Sequence, residues 1–322
     1  MKSRISNLTI RAKTPDDDVW VVDLRNRLND HLPPSTLESF RHWERIDRLS
    51  EHSYEERLIG ECDGQRVAYF GLERLWWSKR PGSYFIYINV EPERWSQGIG
   101  SQAFDHLLAR LSDLKAERAY SGVRNDRTVA QGFAERRGFS KTGHADRWSR
   151  LDVRTANLEG YVGVEERLAA EGIRLTTIAE TGEDEALLRR LHAVTEEAIA
   201  DVPSSEEFSG FPYEMFLEEL HEPQMAPERA WMAMHGDEPV GTAVLPLRGE
   251  HAAFNGFTGV ARAYRGKGVA RALKLKTIEW CREHGIEAIY TANDVTNQRM
   301  LSINHSLGYQ ELPIAEEVMR QL

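Results

Sequence analysis

The pattern of apolar and polar positions along the chain predicts the same opening elements in each half. The run LTIRAK at residues 8–13 and the run IRLTTIAE at residues 173–180 each predict a strand. Two β-rich runs flank the Asp63-Gly64 turn, and two more flank Gly236-Asp237. Because such dipeptides favour tight turns between paired strands, we expect a β-hairpin near the beginning of each half.

After the hairpin, each half continues with a strand, a glycine-rich loop and an amphipathic helix. The strand is predicted at residues 84–90 in the first half and at residues 254–260 in the second. Another strand and a helix that ends at Gly138 or Gly308 complete the series. A hairpin followed by a β-α-β order predicts an α/β fold, with a mixed, mostly antiparallel sheet flanked by helices in each half.

The two glycine-rich loops are related to each other across the chain. VEPERWSQGIG contains Gly98 and VARAYRGKGVA contains Gly268, and 268 − 98 equals 308 − 138, or 170. A repeat of this length indicates two duplicated domains, because solenoid periods are only ~20–50 residues. The predicted organisation is a first domain at residues 1–155, a connecting helix at 156–171 and a second domain at 172–322.

Composition and charge narrow the possible functions. The 322 residues are 41% hydrophobic and 29% charged, which is typical of globular domains. A net charge of −10 disfavours nucleic acid or an anionic membrane as the main partner, since both bind basic surfaces. Apolar runs fall far below ~18 residues, and the eleven histidines show no metal-ligand spacing. We expect a cytoplasmic protein without a metal site, and the sequence does not indicate its oligomeric state.

The second glycine-rich loop carries the clearest chemistry. Glycines allow a ligand close to the backbone, and N–H groups at a helix N-terminus bind phosphate, to which basic side chains add charge. The pattern is weak by itself, but its position between a strand and a helix and its recurrence 170 residues away strengthen it. The candidate phosphate-binding residues are Arg265, Gly266, Lys267, Gly268, Val269 and Ala270.

These segments resemble the GNAT superfamily of acyl-CoA dependent N-acetyltransferases, whose signature is Val-x-x-x-x-Arg-Gly-x-Gly-x-Gly/Ala. The later segment NDVTNQRMLSINHSLGY at residues 293–309 resembles the second CoA-facing segment of that family. Both halves match, so the chain resembles a tandem GNAT protein, an arrangement similar to that of mycothiol synthase. The resemblance implies transfer of an acetyl group from acetyl-CoA to an amine by direct attack in a ternary complex.

The same resemblance implies which residues contact the cofactor. In the second domain these are Val260, residues 265–270, Asn293 and Asn297. In the first domain the corresponding candidates are Val90, Gln97, Gly98 and Gly100.

Two catalytic roles are expected near the second loop. An alkylamine with a pKa near ~10.4 must lose a proton at a cost of roughly 4–5 kcal/mol at pH 7, so we expect a carboxylate base. Asp294 is one candidate, and three other carboxylates remain open: Asp201, Glu206 and Glu207. The family's usual acid is a tyrosine, but this chain has Asn304 in the second copy and Ala134 in the first. Asn304 can donate a hydrogen bond but cannot supply a proton.

Comparison of the copies predicts which one is active. Three presumed contacts change between them: Arg265 corresponds to Trp95, Asn297 to Arg127 and Asn304 to Ala134. We therefore expect the second domain to be catalytic and the first to be degenerate. The alternative is a non-catalytic acyl-CoA binding or regulatory protein, because neither copy has the tyrosine.

Overall fold

The computed structural model describes residues 8–322, and the chain divides into two compact units. The first unit extends to Ala145 and also contains Ser205–Glu207 and Ala315–Leu322. The second unit consists of Asp146–Ser204 and Phe208–Ile314. The domains expected from the repeat are continuous stretches of the chain. The compact units are instead assembled from separate stretches that are brought together by strand pairing.

The first unit is built on strands β1 to β5, in which each strand pairs with the next. The first four are antiparallel, and β4 pairs with β5 in parallel. The strands are β1 (Thr9–Ala12), β2 (Glu55–Cys62), β3 (Gln65–Arg74), β4 (Ser83–Val90), β5 (Arg118–Arg124) and β6 (Ser140–Asp152). The helices are α1 (Asp18–Leu28), α2 (Leu37–Ile46), α3 (Ile99–Asp113) and α4 (Thr128–Glu135).

Helices cover this sheet because its side chains are apolar on both faces. The amphipathic helix predicted after the first glycine-rich loop is confirmed as α3, whose Ile99, Ala103 and Leu107 lie in one buried cluster with residues of β3 and β4. Helices α1 and α2 contribute to a second cluster, which includes Val21 and Phe40. The first hairpin is also confirmed, with positive φ angles of 51° at Asp63 and 73° at Gly64 in its turn.

The second unit contains two groups of paired strands. One is a four-stranded antiparallel sheet in the order β11-β9-β8-β7, and in the other β12 pairs with β10 and β6. The strands are β7 (Ile173–Thr177), β8 (Ala230–His235), β9 (Glu238–Val244), β10 (Ala252–Phe254), β11 (Phe257–Val260), β12 (Ala288–Asp294) and β13 (Gln310–Gln321). The helices are α5 (Val164–Ala170), α6 (Ile178–Thr181), α7 (Glu185–Ile199), α8 (Tyr213–Leu220), α9 (Val269–Glu283) and α10 (Gln298–Leu307).

The strand expected at residues 254–260 is broken, so the prediction of one continuous strand is wrong. Strand β10 pairs in parallel with β12, whereas β11 pairs antiparallel with β9. Between them, the buried Asn255 donates through Nδ2 to the carbonyls of Val244 at 3.2 Å and Phe257 at 3.3 Å. This side chain satisfies backbone groups where the sheet ladder is interrupted.

Within the segment expected to connect the domains, at residues 156–171, the α-helix is limited to Val164–Ala170. Gly163 precedes it with a φ of 72°, in the left-handed region, which prevents the helix from extending towards the N-terminus. Val164 and Leu168 of this helix are buried in the core of the second unit.

Each unit contains a strand segment that chain order assigns to the other copy. In the first unit, the Ala315–Gln321 part of β13 pairs antiparallel with β5. In the second unit, β12 pairs antiparallel with the Asp146–Asp152 part of β6. Across the described residues, no helix is long and apolar enough to cross a membrane.

Candidate active site

The loop before α9 presents a row of backbone donors. Gly266 and Gly268 adopt left-handed φ angles of 81° and 95°, and α9 begins directly afterwards. No group in residues 8–322 accepts a hydrogen bond from five successive N–H groups, those of residues 266–270. A Cβ added at Gly266 meets nothing within 4 Å, so the space beside the loop is open. Such a cradle at the start of a 15-residue helix suits an anion such as phosphate.

The strand that leads into this loop offers a second set of backbone groups. Strand β11 is an edge strand of its sheet, and Ala261 N donates to Val240 O of the neighbouring strand at 2.9 Å. Because alternate residues of a strand point to opposite sides, the N–H and C=O of Val260 point away from β9. The free edge and the cradle together suit an extended ligand that carries both hydrogen-bonding amides and an anionic group.

The three basic side chains of the loop before α9 are each paired with a carboxylate. Arg265 donates through Nε to Val260 O at 2.9 Å, and its Nη1 lies 2.7 Å from Asp201 Oδ2. Arg262 also pairs with Asp201 at 2.7 Å, and Lys267 Nζ lies 2.8 Å from Glu171. The bond from Arg262, together with that from Arg265, lowers the pKa of Asp201 to about 2. A carboxylate with this pKa is a weak base, which disfavours Asp201 for proton removal.

Two of the three candidate asparagines are hydrogen-bonded to each other near the end of β12. Asn304 is 2% exposed, and its Nδ2 donates to Asn293 Oδ1 at 2.7 Å. Asn297 caps α10, since its Oδ1 accepts from Met300 N at 3.3 Å. Asn304 therefore contacts the end of β12 through its hydrogen bond to the side chain of Asn293.

Asp294 is the last residue of β12 and lies where that strand turns into α10. Its Oδ1 accepts from the backbone N of Thr296 at 2.7 Å and from the hydroxyl of the same residue. Asp294 therefore stabilises the turn before α10. It is the residue that follows Asn293, at the carboxyl end of β12.

The two remaining carboxylate candidates, Glu206 and Glu207, belong to the first unit. Glu206 is buried and accepts hydrogen bonds from Ser78 at 2.7 Å, Ser83 at 2.8 Å and Tyr120 at 2.7 Å. Burial alone would raise the pKa of Glu206, but bonds from these hydroxyls leave it below its usual value. Glu207 pairs with Lys79, which lowers the pKa of Glu207. Both carboxylates are therefore held in the charged form by local partners.

The first unit repeats the backbone geometry of the cradle. Gly98 has a φ of 91°, and the structure records no acceptor among its described residues for the N–H groups of residues 96–100. Glu91 N donates to Val67 O at 3.0 Å. The backbone N–H and C=O of the preceding residue, Val90, therefore point away from the antiparallel strand β3, as those of Val260 point away from β9. The indole Nε1 of Trp95 donates to Val90 O at 2.8 Å, as Arg265 does to Val260. The Arg-to-Trp difference thus removes a charge but keeps the hydrogen bond.

Other side chains around the first cradle differ from those of the second. Gln97 donates to Glu93 O at 3.1 Å, and Arg127 pairs with Asp30 at 3.0 Å. A Cβ added at Gly100 would lie 3.2 Å from Phe133, so this aromatic ring closes one side of the loop.

Sequence reasoning missed a buried lysine beneath the strand break of the second unit. Lys274 in α9 is 1% exposed, and its Nζ donates to Asn255 Oδ1. Burial lowers the pKa of Lys274 to about 7. The equivalent residue of the first unit, 170 positions earlier, is Phe104, which packs against Phe139. The sequence signal for this buried charge was a lysine at a position on the apolar face of the predicted amphipathic helix.

Comparison with known families supports the repeat directly. A family model described as "Acetyltransferase (GNAT) family" matches residues 21–139 and again residues 191–309. Both limits of the second match lie 170 residues after those of the first, since 191 − 21 equals 309 − 139. The chain is also 28% identical over 115 residues to N-alpha-acetyltransferase MAK3 of Arabidopsis thaliana. That alignment covers 35% of this chain and 57% of the relative, a little over half of its length.

Solved structures show the same fold over nearly the whole chain. A tandem GNAT protein from the clavulanic acid biosynthesis pathway superimposes with a TM-score of 0.75 at 17% identity, covering 98% of both chains. A GCN5-related N-acetyltransferase from Sphaerobacter thermophilus gives a TM-score of 0.70 at 19% identity, covering 99% of this chain and 97% of that one. The expected architecture of two tandem mixed α/β repeats is therefore confirmed.

Proposed function

Since the chain belongs to the acetyltransferase (GNAT) family, with one family domain in each half, we propose that it transfers an acetyl group from acetyl-CoA to an amine. The observation that supports this most strongly is the row of free N–H groups at the start of α9, beside the backbone N–H and C=O of Val260 that point away from β9. The proposed reaction is a direct attack of the amine in a ternary complex.

We propose that the second domain, residues 172–322, is catalytic. The amides of residues 266–270 bind the diphosphate of the cofactor, and the free edge of Val260 binds its pantetheine arm. Arg265 holds the loop against the strand through the carbonyl of Val260. Asn293 and Asn297 border the arm from the end of β12 and the start of α10.

Bound acetyl-CoA supplies the acetyl group as a thioester. The N–H of Val260 is a fixed donor that stabilises the negative charge developing on the acyl oxygen. Asp294 accepts the proton of the attacking amine, because it lies at the end of β12 in the catalytic domain. Asn304 holds Asn293 in place through its amide. Since the amide of Asn304 cannot supply a proton, the departing thiolate takes its proton from water or takes the second proton lost by the attacking nitrogen.

The first domain, residues 1–155, is proposed to have lost turnover while keeping the fold. It retains Val90, Gln97, Gly98 and Gly100, but it lacks a charged residue at position 95. The segment at 156–171 connects it to the catalytic domain. A cytoplasmic protein with a small-molecule or peptide amine as acceptor fits this proposal, and the name of the MAK3 relative favours a peptide α-amine as one member of the test panel.

The proposal is tested by incubating the full chain with acetyl-CoA and a panel of small amines and peptides with free N-termini. Free thiol released over time is measured. Amine-dependent thiol release supports an acetyltransferase. Saturable CoA binding without turnover on any amine supports the alternative of a non-catalytic acyl-CoA binding protein. Absence of CoA binding contradicts both functions.

A further inference from the structure

Asp201 lies two residues after the end of α7 and binds the two arginines beside the second cradle. Its Oδ1 lies 2.7 Å from Arg262 Nη2, and its Oδ2 lies 2.7 Å from Arg262 Nε. The same Oδ2 accepts from Arg265 Nη1 at 2.7 Å. A paired, two-oxygen contact of this kind is also how guanidinium groups bind phosphate. One protein carboxylate therefore occupies the donors that a diphosphate would use.

Two neighbouring carboxylates, those of Glu197 and Glu171, also bind donors of this loop. The backbone N of Arg262 donates to Glu197 Oε1 at 2.6 Å, and Lys267 pairs with Glu171. All three cations on this loop, Arg262, Arg265 and Lys267, thus have carboxylate partners within the second unit. Within the loop itself, the uncharged backbone amides are the remaining donors for an incoming anion.

The first copy has no such arrangement. The residues 170 positions before Asp201, Arg262 and Arg265 are His31, Pro92 and Trp95. The carboxylate and both guanidiniums are therefore absent together from the first copy, although the backbone of its cradle is the same.

We propose that Asp201 is an internal competitor for the diphosphate of the cofactor in the second domain. A diphosphate carries more negative charge than one carboxylate, so it displaces Asp201 from the arginines when it binds. The cost of breaking these contacts weakens the affinity for CoA and eases release of the product. Ligands without the diphosphate cannot displace Asp201. This inference rests on the proposed function of the cradle.

The test compares the Asp201→Asn variant with the wild-type chain by calorimetric titration of CoA and, separately, of inorganic pyrophosphate. Removal of one carboxylate charge frees both guanidiniums, so we expect both ligands to bind about three- to tenfold more tightly to the variant. Glu250→Gln is the matched control, since it removes one charge from the second unit at a side chain that is 93% exposed. Its affinities should equal those of the wild type.

A double-mutant comparison identifies the mechanism. In an Arg262→Gln background, Asp201→Asn should give a smaller gain, because one of the freed guanidiniums is missing. Equal or weaker binding by Asp201→Asn would overturn the inference and would mean that Asp201 supports the arginines instead. Tighter pyrophosphate binding with no CoA binding by either protein would support the inference and contradict the proposed cofactor.

Discussion

At the scale of single residues, two chemically different side chains perform one structural task. Arg265 donates a guanidinium N–H, and Trp95 an indole N–H, to the carbonyl of the valine five positions earlier. That carbonyl faces the free edge of its strand, and the donor fixes the turn that leads into the helix. The hydrogen bond is therefore independent of charge, whereas attraction of a diphosphate depends on it. Arg265 supplies both the hydrogen bond and the charge, whereas Trp95 supplies only the hydrogen bond.

This distinction predicts unequal effects of the same substitution. Arg265→Glu should weaken CoA binding by about ten- to a hundredfold, or about 1.4–2.7 kcal/mol, because it reverses a charge beside the phosphates. Trp95→Glu should change it less than about threefold if the second domain holds the principal site. Isothermal titration with CoA measures both variants, and equal losses would contradict the difference between the copies.

Lys274 predicts a specific dependence of stability on pH. Its pKa is about 7 in the folded protein, against 10.5 in the unfolded chain. Between these values the unfolded state binds more protons, so the contribution of Lys274 to the free energy of unfolding rises with pH, by at most ~1.4 kcal/mol per unit. Lys274→Met should remove that part of the slope in urea unfolding between pH 7 and 9. The exposed Lys141→Met is the control, and an unchanged slope in Lys274→Met would refute the expectation.

At the scale of elements, each cradle depends on a glycine at the N-cap of a long helix. Gly98 and Gly268 adopt φ angles of 91° and 95°, a region in which a side chain is strained. The added Cβ itself would have room at Gly268, where the nearest atom is 3.9 Å away on Val164. The requirement for glycine is therefore one of backbone conformation and not of space.

Gly268→Ala should accordingly destabilise the second unit by about 1–2 kcal/mol and weaken CoA binding, since the amides of the loop shift. Chemical unfolding and CoA titration measure the two effects. Gly160→Ala is the matched control, because a Cβ at Gly160 meets nothing within 4 Å and the φ there is not left-handed. Similar losses in both variants would show that the backbone conformation is not the cause.

Local signals explain which elements could be predicted from the sequence. Turn residues such as Asp63-Gly64 and the spacing of residues 265–270 determine their own conformation, so the hairpins and the cradle were found. The break at Asn255 was missed although Asn255-Gly256 is a turn-favouring dipeptide. The pairing of β10 and β11 with two different strands depends on residues distant in the chain. The ion pairs of Asp201 and the burial of Lys274 were not foreseen, since ion pairing and burial depend on residues distant in the chain.

At the scale of the whole molecule, sequence order and compact units do not coincide. The last eight residues, Ala315–Leu322, belong to the first unit and pair with β5 there. Val318 in this segment is 6% exposed and lies in the same apolar cluster as the face of α3. The first unit therefore obtains part of its core from the end of the chain.

Ending the chain after Ile314 should destabilise the first unit, because it exposes the edge of β5 and removes Val318 from the core. Hydrogen exchange followed by mass spectrometry should show lost protection in β5. A chain ending after Arg320 is the control and should keep most of that protection. Unchanged exchange in β5 after the longer truncation would contradict the role assigned to this segment.

The late position of that segment has a consequence for synthesis on the ribosome. Strand β5 ends at Arg124, whereas its neighbouring segment begins at Ala315, so 191 further residues must be made before the two can pair. At 5–20 residues per second this takes roughly 10–40 s, during which the nascent first unit carries an unpaired strand edge. Chaperone dependence and aggregation should therefore be greatest for stalled chains that have emerged up to the end of the second unit but still lack their last residues.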